Sequence, residues 1–260
     1  MRRVVIGLLV LVGLLVAVDY GSAALAESAV SRQMREQIGL ADDPSVRING
    51  FPFLTQAVSG HYRSVDIDAP RIHVGQLQEL DVSAQLRDVS APLSMLLGSG
   101  PKTLGVQEAE GTVRVSASDV QRLIPGIKGL RIDSLDKKAL QQAVKDGGQA
   151  SLAQLDPEKV ARFVGTGTVL GQQVQVSVIA LLQLTDGQAE IVPQDIQLGD
   201  KAPALPAAVQ RTLRQLFTVR IDPGSLPLKV TPTALRANNG VLEISGVAQN
   251  LTLGATTPTS

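Results

Sequence analysis

From Val174 to Leu184 every even position is apolar: Val174, Val176, Val178, Ala180, Leu182 and Leu184. The odd positions read Gln175, Ser177, Ile179, Leu181 and Gln183. A period of two belongs to a β-strand with one buried face. Here the second face is also apolar at its centre, at Ile179 and Leu181. Such a strand must be covered on both sides. An ordinary central strand, with a helix on one face and sheet on the other, satisfies that. So does a strand with one face lining an apolar cavity for a greasy ligand. The stretch before it, Val164-Gly-Thr-Gly-Thr-Val-Leu-Gly171, lacks the lysine and spacing of a phosphate-binding loop.

The N-terminus bears on the compartment. Arg2-Arg3 precedes an apolar run from Val4 to Val18, then Asp19-Tyr20 and small residues ending Ala24-Leu25-Ala26. A charged start, an apolar core and an A-x-A site form a secretory signal. The run is shorter than the roughly 20 residues that span a bilayer comfortably, but small residues extend it to Ala26. Residues 1–26 are therefore a cleaved signal peptide or an uncleaved anchor. Either way the remainder lies outside the cytoplasm, in the periplasm or cell envelope. The chain contains no Cys, which removes disulfides, thiol catalysis and cysteine-bound metals together.

Elements follow from local signals. Glu27 to Leu40 reads as a helix stopped by Gly39. Val46 to Gly50 is a short strand, and Pro52 to Gly60 a short helix. Two of the four Phe residues, Phe51 and Phe53, lie in this one segment. It is either a plug on the core or the mouth of a pocket. Tyr62 to Val74 and Leu80 to Arg87 alternate as two long strands with one wet face, which argues antiparallel sheet. Ala91 to Gly98 is apolar and helical. Leu104 to Val106 and Gly111 to Val115 suggest a hairpin about Glu108-Ala109-Glu110. Ser118-Asp119-Val120-Gln121 has capping-box form. Leu135 to Lys145 is helical up to Gly147-Gly148, and Asp156-Pro157-Glu158 starts a helix ending by Gly165. Gln188 to Leu198 returns as a strand through Asp186-Gly187. Leu205, Val209, Leu213, Leu216 and Phe217 lie at helical spacing opposite a polar face. Leu228 to Thr231, Thr233 to Ala237 and Val241 to Leu253 close the chain as strands, the last two joined at Asn238-Asn239-Gly240. Strands dominate without βαβ alternation, so the fold class is α+β with a strongly curved antiparallel sheet.

The catalytic inventory is thin. The histidines are His61 and His73. No serine sits in a G-x-S-x-G elbow. Asp66 and Asp68 share a strand face near His73, a pattern better explained by a solvated face than by a metal site. Net charge is +0, which argues against nucleic acid as a partner. With no Trp and 2% aromatics, sugar stacking has little to work with. An aliphatic interior suits acyl chains, which need only non-directional burial.

Ile48-Asn-Gly-Phe-Pro-Phe-Leu-Thr-Gln56 and Gly60-His-Tyr-Arg-Ser-Val-Asp-Ile67, after a leader and a helix, resemble the LmeA-like family of actinobacterial envelope proteins. Ser116 to Val120, Ala189 to Pro193, Leu226 to Leu228 and Gly240 to Gly246 are similar too. The Gly50 to Gln56 block is the most specific of these. The resemblance spans nearly the whole chain after the leader. It implies periplasmic phospholipid binding, a role in maintaining lipomannan elongation, and a fold similar to the tubular lipid-binding proteins, with a long curved sheet wrapped against helices. It supplies no catalytic residue and no cofactor.

Together these readings predict a non-catalytic, single lipid-binding domain over 27–260. Acyl chains would lie between the curved sheet and the amphipathic helix, against Phe51, Phe53, Leu54, Val58, Leu96, Ile179, Leu181, Leu213, Leu216 and Phe217. Expected partners are phospholipid acyl chains, the membrane surface and envelope glycosyltransferases. The alternatives are a scaffolding protein with its apolar faces fully packed, and a hydrolase of envelope lipids or glycans. A Ser or Asp paired with either histidine in a cleft would favour the hydrolase.

Overall fold

The computed structural model describes residues 1–92, 94, 103–169, 172–185, 187–199, 214–215, 217–221 and 231–254. Among them are four α-helices and eleven strands in two antiparallel sheets, one strongly curled into a half-barrel, so the fold is α+β. The strands are β1 (Ser45–Asn49), β2 (His61–Val74), β3 (Leu77–Ser90), β4 (Thr103–Ser116), β5 (Ile127–Ser134), β6 (Val160–Val169), β7 (Gln172–Thr185), β8 (Gln188–Leu198), β9 (Val219–Ile221), β10 (Thr231–Asn238) and β11 (Val241–Gly254). The helices are α1 (Arg2–Ile38), α2 (Phe53–Ser59), α3 (Ala117–Leu123) and α4 (Lys137–Lys145). One sheet has the order β1-β2-β3-β4-β11-β10 and the other β5-β6-β7-β8-β9. The chain sorts into two compact units: Met1–Pro70, Val82–Gly111 and Val247–Ser260 in the first, Arg71–Asp81 and Thr112–Gly246 in the second.

In the first unit, α1 is one unbroken helix rather than a leader followed by a separate helix from Glu27. The reason is local. No proline occurs before Pro44, and the small residues between Gly21 and Ala26 include four alanines and leucines that favour helix. Gly39 ends it in the left-handed conformation, its N–H bonded to the Arg35 carbonyl. β1 pairs antiparallel with β2, Ile48 opposite Val65. α2 stops at Gly60, whose φ of 68° places it in the left-handed region, and a Cβ there would press on the Ala91 carbonyl at 3.2 Å. The core of this unit gathers Ile48, Phe53, Ala57, Tyr62, Leu86, Val89 and Val106, with Ala23 and Ala26 of α1 packed against it.

In the second unit β7 is the central strand. Its register with β6 puts Phe163 opposite Val178, and with β8 it puts Leu182 opposite Ile191. Val176, Val178, Ala180 and Leu182 enter the main core with Leu130, Ile132, Phe163, Ile191, Phe217, Leu235 and Leu242. The even face of the strand therefore meets sheet residues from both sides, as a period of two requires. β6 carries Gly165 and Gly167 because β5 crosses it closely. A Cβ at Gly165 would stand 2.6 Å from Ile127 Cγ2 and one at Gly167 3.0 Å from Ile127 Cδ1.

Three local readings are corrected, and two strands go unread. β4 is one continuous strand, not a hairpin about Glu108-Ala109-Glu110. It lies between β3 and β11, so both its edges are paired and no turn can form there. α3 is capped by Ser116, whose hydroxyl accepts the Asp119 N–H, two residues earlier than the capping box at Ser118. Asp156 caps only a single 3-10 turn, Pro157–Lys159, before β6 begins at Val160. β5 and β9 carry no clear local signal. β5 buries only Leu130 and Ile132 of its eight residues, too few to reveal a period. The helix read at Ala91 to Gly98, and that at Leu205 to Phe217, lie largely outside the described residues.

Two buried carboxylates in the second unit give opposite pH responses. Burial holds Asp195 above the ordinary value of 3.8, against the lowering effects of its bonds with Gln197 and the Gln149 N–H and of the Arg214 charge. A folded value above the unfolded one gives a contribution that is complete at pH below 3.8 and is lost as pH rises through the folded value. Glu190 moves the other way. Hydrogen bonds from Gln183 and Arg220 hold it below 4.5, outweighing burial, with the Arg220 charge and Thr185 adding to the lowering. Its contribution is present at neutral pH and is lost as pH falls through the folded value. Asp195→Asn should therefore raise the melting temperature at pH 7, with little change in acid, whereas Glu190→Gln should lower it at pH 7. Melting curves at the two pH values check both signs.

Candidate functional site

The residues expected to contact lipid fall into three groups. Phe51, Phe53, Leu54 and Val58 belong to α2 and the turn before it. The helix divides them: Phe53, Gln56 and Ala57 are buried, while Phe51, Leu54 and Val58 are 53%, 39% and 85% exposed. Leu54 and Val58 stand four apart and share the outward face. A short helix that keeps apolar side chains outward as well as inward presents a greasy surface. Tyr20 of α1 extends it, its ring stacked on Phe51 with centroids 6.0 Å apart.

What holds α2 in place comes from far along the chain. Asp19, only 5% exposed, accepts the N–H of Phe53 on one carboxylate oxygen and that of Leu54 on the other, both at 2.8 Å. These are unpaired donors of the first turn, which a helix of this length must satisfy externally. Pro52, the residue at the cap position, offers no side-chain acceptor. Beneath the helix Tyr62 is 2% exposed. Its hydroxyl has no hydrogen-bond partner among the described residues, and burial raises its pKa above the usual phenol value.

Ile179 and Leu181 form the second group. Ile179 is buried in a cluster with Leu135, Leu140, Ala143, Leu152 and Val160, and Leu181 packs half-buried against it. This odd face of β7 is covered by α4 and the 3-10 turn Ala150–Gln154. Phe217 stands apart from both groups, on the even-face side in the main core with Val219 and Ile221. Leu96, Leu213 and Leu216 lie outside the described residues. The structure thus brings Phe51, Phe53, Leu54 and Val58 together, and Ile179 with Leu181. Asp19 and Tyr62 join the first set unannounced by any local motif.

The polar inventory is accounted for by neighbouring strands. Asp66 accepts hydrogen bonds from Asn49 and Gln85. His61 Nε2 lies 3.2 Å from Ser90 Oγ, and its Nδ1 faces the Ser59 carbonyl at 3.4 Å. Both side chains are exposed, and the second ring nitrogen meets a carbonyl where a triad would have a carboxylate. The pair joins β2 to β3 at the sheet surface. Among the described residues no group of three or more His, Asp or Glu could hold a metal ion. A surface recess of about 560 Å³ opens beside β5, with Arg131, Asp133, Ser134 and Asn239 at its walls. Ala117, Leu130 and Ile132 complete its lining, so polar and apolar groups share the walls.

A family model described as LmeA-like phospholipid-binding matches residues 17–247. No curated protein and no solved structure matches the chain.

Proposed function

Because the chain belongs to the LmeA-like phospholipid-binding family, we propose that it is a non-catalytic phospholipid-binding protein of the periplasm or cell envelope that supports lipomannan elongation or the upkeep of envelope lipids. The match over residues 17–247 is the observation that carries the reading. Phospholipid acyl chains and the membrane surface are its proposed partners, with envelope glycosyltransferases as the proteins it would serve. The residues proposed to meet the lipid are Phe51, Leu54 and Val58 at the entrance, with Phe53 behind them. Leu96, Ile179, Leu181, Leu213, Leu216 and Phe217 are the further residues proposed to contact acyl chains. The exposed apolar face of α2 supports the entrance, since apolar area held in water gains free energy when lipid covers it. The buried Tyr62 hydroxyl supports it too, because a lipid ester or hydroxyl is a group it could pair with.

Mass spectrometry of lipids released from the natively extracted protein tests the function. Stoichiometric phospholipid is expected, and a protein free of lipid would favour the scaffolding reading. Chemistry is tested separately. Replacing His61 and His73 together by Gln should change lipid affinity by no more than about threefold, or about 0.65 kcal/mol. A hundredfold loss in a folded double variant would instead favour a hydrolase built on His61 and Ser90.

A further inference from the structure

We infer that α1 is retained as a membrane anchor, and that it holds the exposed face of α2 on the outer surface of the bilayer it crosses. The inference deepens the membrane part of the function proposed above and rests on the envelope location given there. It starts from an imbalance along α1. Between Val4 and Val18 every large apolar residue but Val16 is exposed, around the whole helix, Leu8, Leu11 and Leu15 each by more than half. Only 6% of its most apolar 18-residue window is buried. A helix apolar all round needs an apolar surround, and this protein provides none for that part. The bilayer is the surround that fits.

A signal sequence would also be apolar there. What separates the two is the second half of the helix. Val16, Asp19, Ser22, Ala23, Ala26, Glu27, Val30 and Ser31 are at least partly buried, and they recur at spacings of three and four, one continuous stripe. The stripe runs through Ala24-Leu25-Ala26 without a break. Three of its polar members, Asp19, Glu27 and Ser31, have partners outside α1, whereas Ser22 bonds back to the Val18 carbonyl of the helix itself. Asp19 caps α2, the Glu27 carboxylate accepts the Ile48 N–H at 2.7 Å, and Ser31 Oγ donates to the Pro44 carbonyl. Cleavage after Ala26 would remove Asp19, leave the Phe53 and Leu54 N–H groups unpaired and strip Ala23 and Ala26 from the core. A leader that is discarded has no reason to be built into the fold in this way.

Length then fixes the depth of α2. At about 1.5 Å per residue, a hydrocarbon layer of about 30 Å takes about 20 residues. Counted from Val4, it ends at Ala23, about one helical turn beyond Asp19 and Tyr20. Arg2 and Arg3 mark the cytoplasmic side. Asp19 therefore reaches the outer boundary of the layer with both oxygens already bonded, which is how a carboxylate is tolerated there. Tyr20 sits where interfacial aromatics collect. α2, tied to Asp19 by two hydrogen bonds, lies at the same level. Its outward Phe51, Leu54 and Val58 then meet lipid at the headgroup boundary.

Two measurements on the full chain test this. The intact mass of protein purified from membranes should retain residues 1–26; a chain beginning at Glu27 overturns the inference. For depth, the absence of Trp from the chain makes Val58→Trp the sole tryptophan, excited selectively over the two tyrosines, at a position exposed enough to accept it. In phosphatidylcholine and phosphatidylglycerol vesicles its emission should be blue-shifted, and should be quenched when the acyl chains are brominated. Water-like emission without quenching overturns the placement of α2. Both results are independent of whether lipid co-purifies, so failure here is distinguishable from failure of the lipid-binding reading.

Discussion

Asp119→Ala is expected to lose about 2–4 kcal/mol of folding stability, enough to consume much of the roughly 5–15 kcal/mol that holds a domain together. Asp119 is 0% exposed. One of its oxygens accepts the Gln78 N–H at 2.8 Å and the other the Glu79 N–H at 3.0 Å, where β3 leaves its turn from β2. Arg122 pairs with it from one turn along α3. Truncation leaves two backbone donors and a guanidinium without their acceptor, and nothing in alanine replaces it. Arg122 is 34% exposed and can rehydrate, which is why the expected loss stays below that of a fully buried broken ion pair. Urea unfolding of the variant measures it. A loss below about 1 kcal/mol would mean that water reaches the turn and satisfies those donors.

The other large effect is expected at Ile179. The side chain is 3% exposed, among Leu135, Leu140, Leu152 and Val160. Ile179→Ala should leave a void and cost about 2–5 kcal/mol. Ile179→Trp should overpack the same site and cost about 1–3 kcal/mol. Leu181, on the same face but only half-buried, should respond less to either change. The outcome separates two uses of this face. A packed layer is destabilised by both substitutions. A lipid-lined face would tolerate tryptophan, keep its melting temperature and lose phospholipid binding in a liposome assay. Thermal melts of the two variants, with lipid binding measured alongside, decide between them.

Much of the second unit could be read from neighbouring residues. The even positions of 174–184 alternate because a pleated strand puts successive side chains on opposite faces, and Val176 to Leu182 do enter the core. The Asn239-Gly240 turn follows from chemistry confined to two residues, which adopt φ of 47° and 85°. The α2 stop at Gly60 is equally local. The candidate site was legible in part, through the Phe51 to Val58 block. Its supports were not. Asp19 reaches Phe53 and Leu54 across 34 and 35 residues, and Asp119 reaches Gln78 and Glu79 across 41 and 40.

By itself, then, the order of residues determined the α+β class, the long antiparallel strands, most turns and an apolar N-terminal segment, because each depends on side-chain period or backbone preference over a few neighbours. Only the tertiary structure decided that β4 runs straight through Glu108-Ala109-Glu110, that β5 crosses beside Gly165, and that Asp119 serves the β2–β3 turn as well as its own helix. It alone built Asp19 and Ala26 into the fold of the first unit. Each of these depends on partners brought together from distant parts of the chain. A buried carboxylate takes whichever N–H groups the fold leaves unpaired, and no local pattern records which those will be.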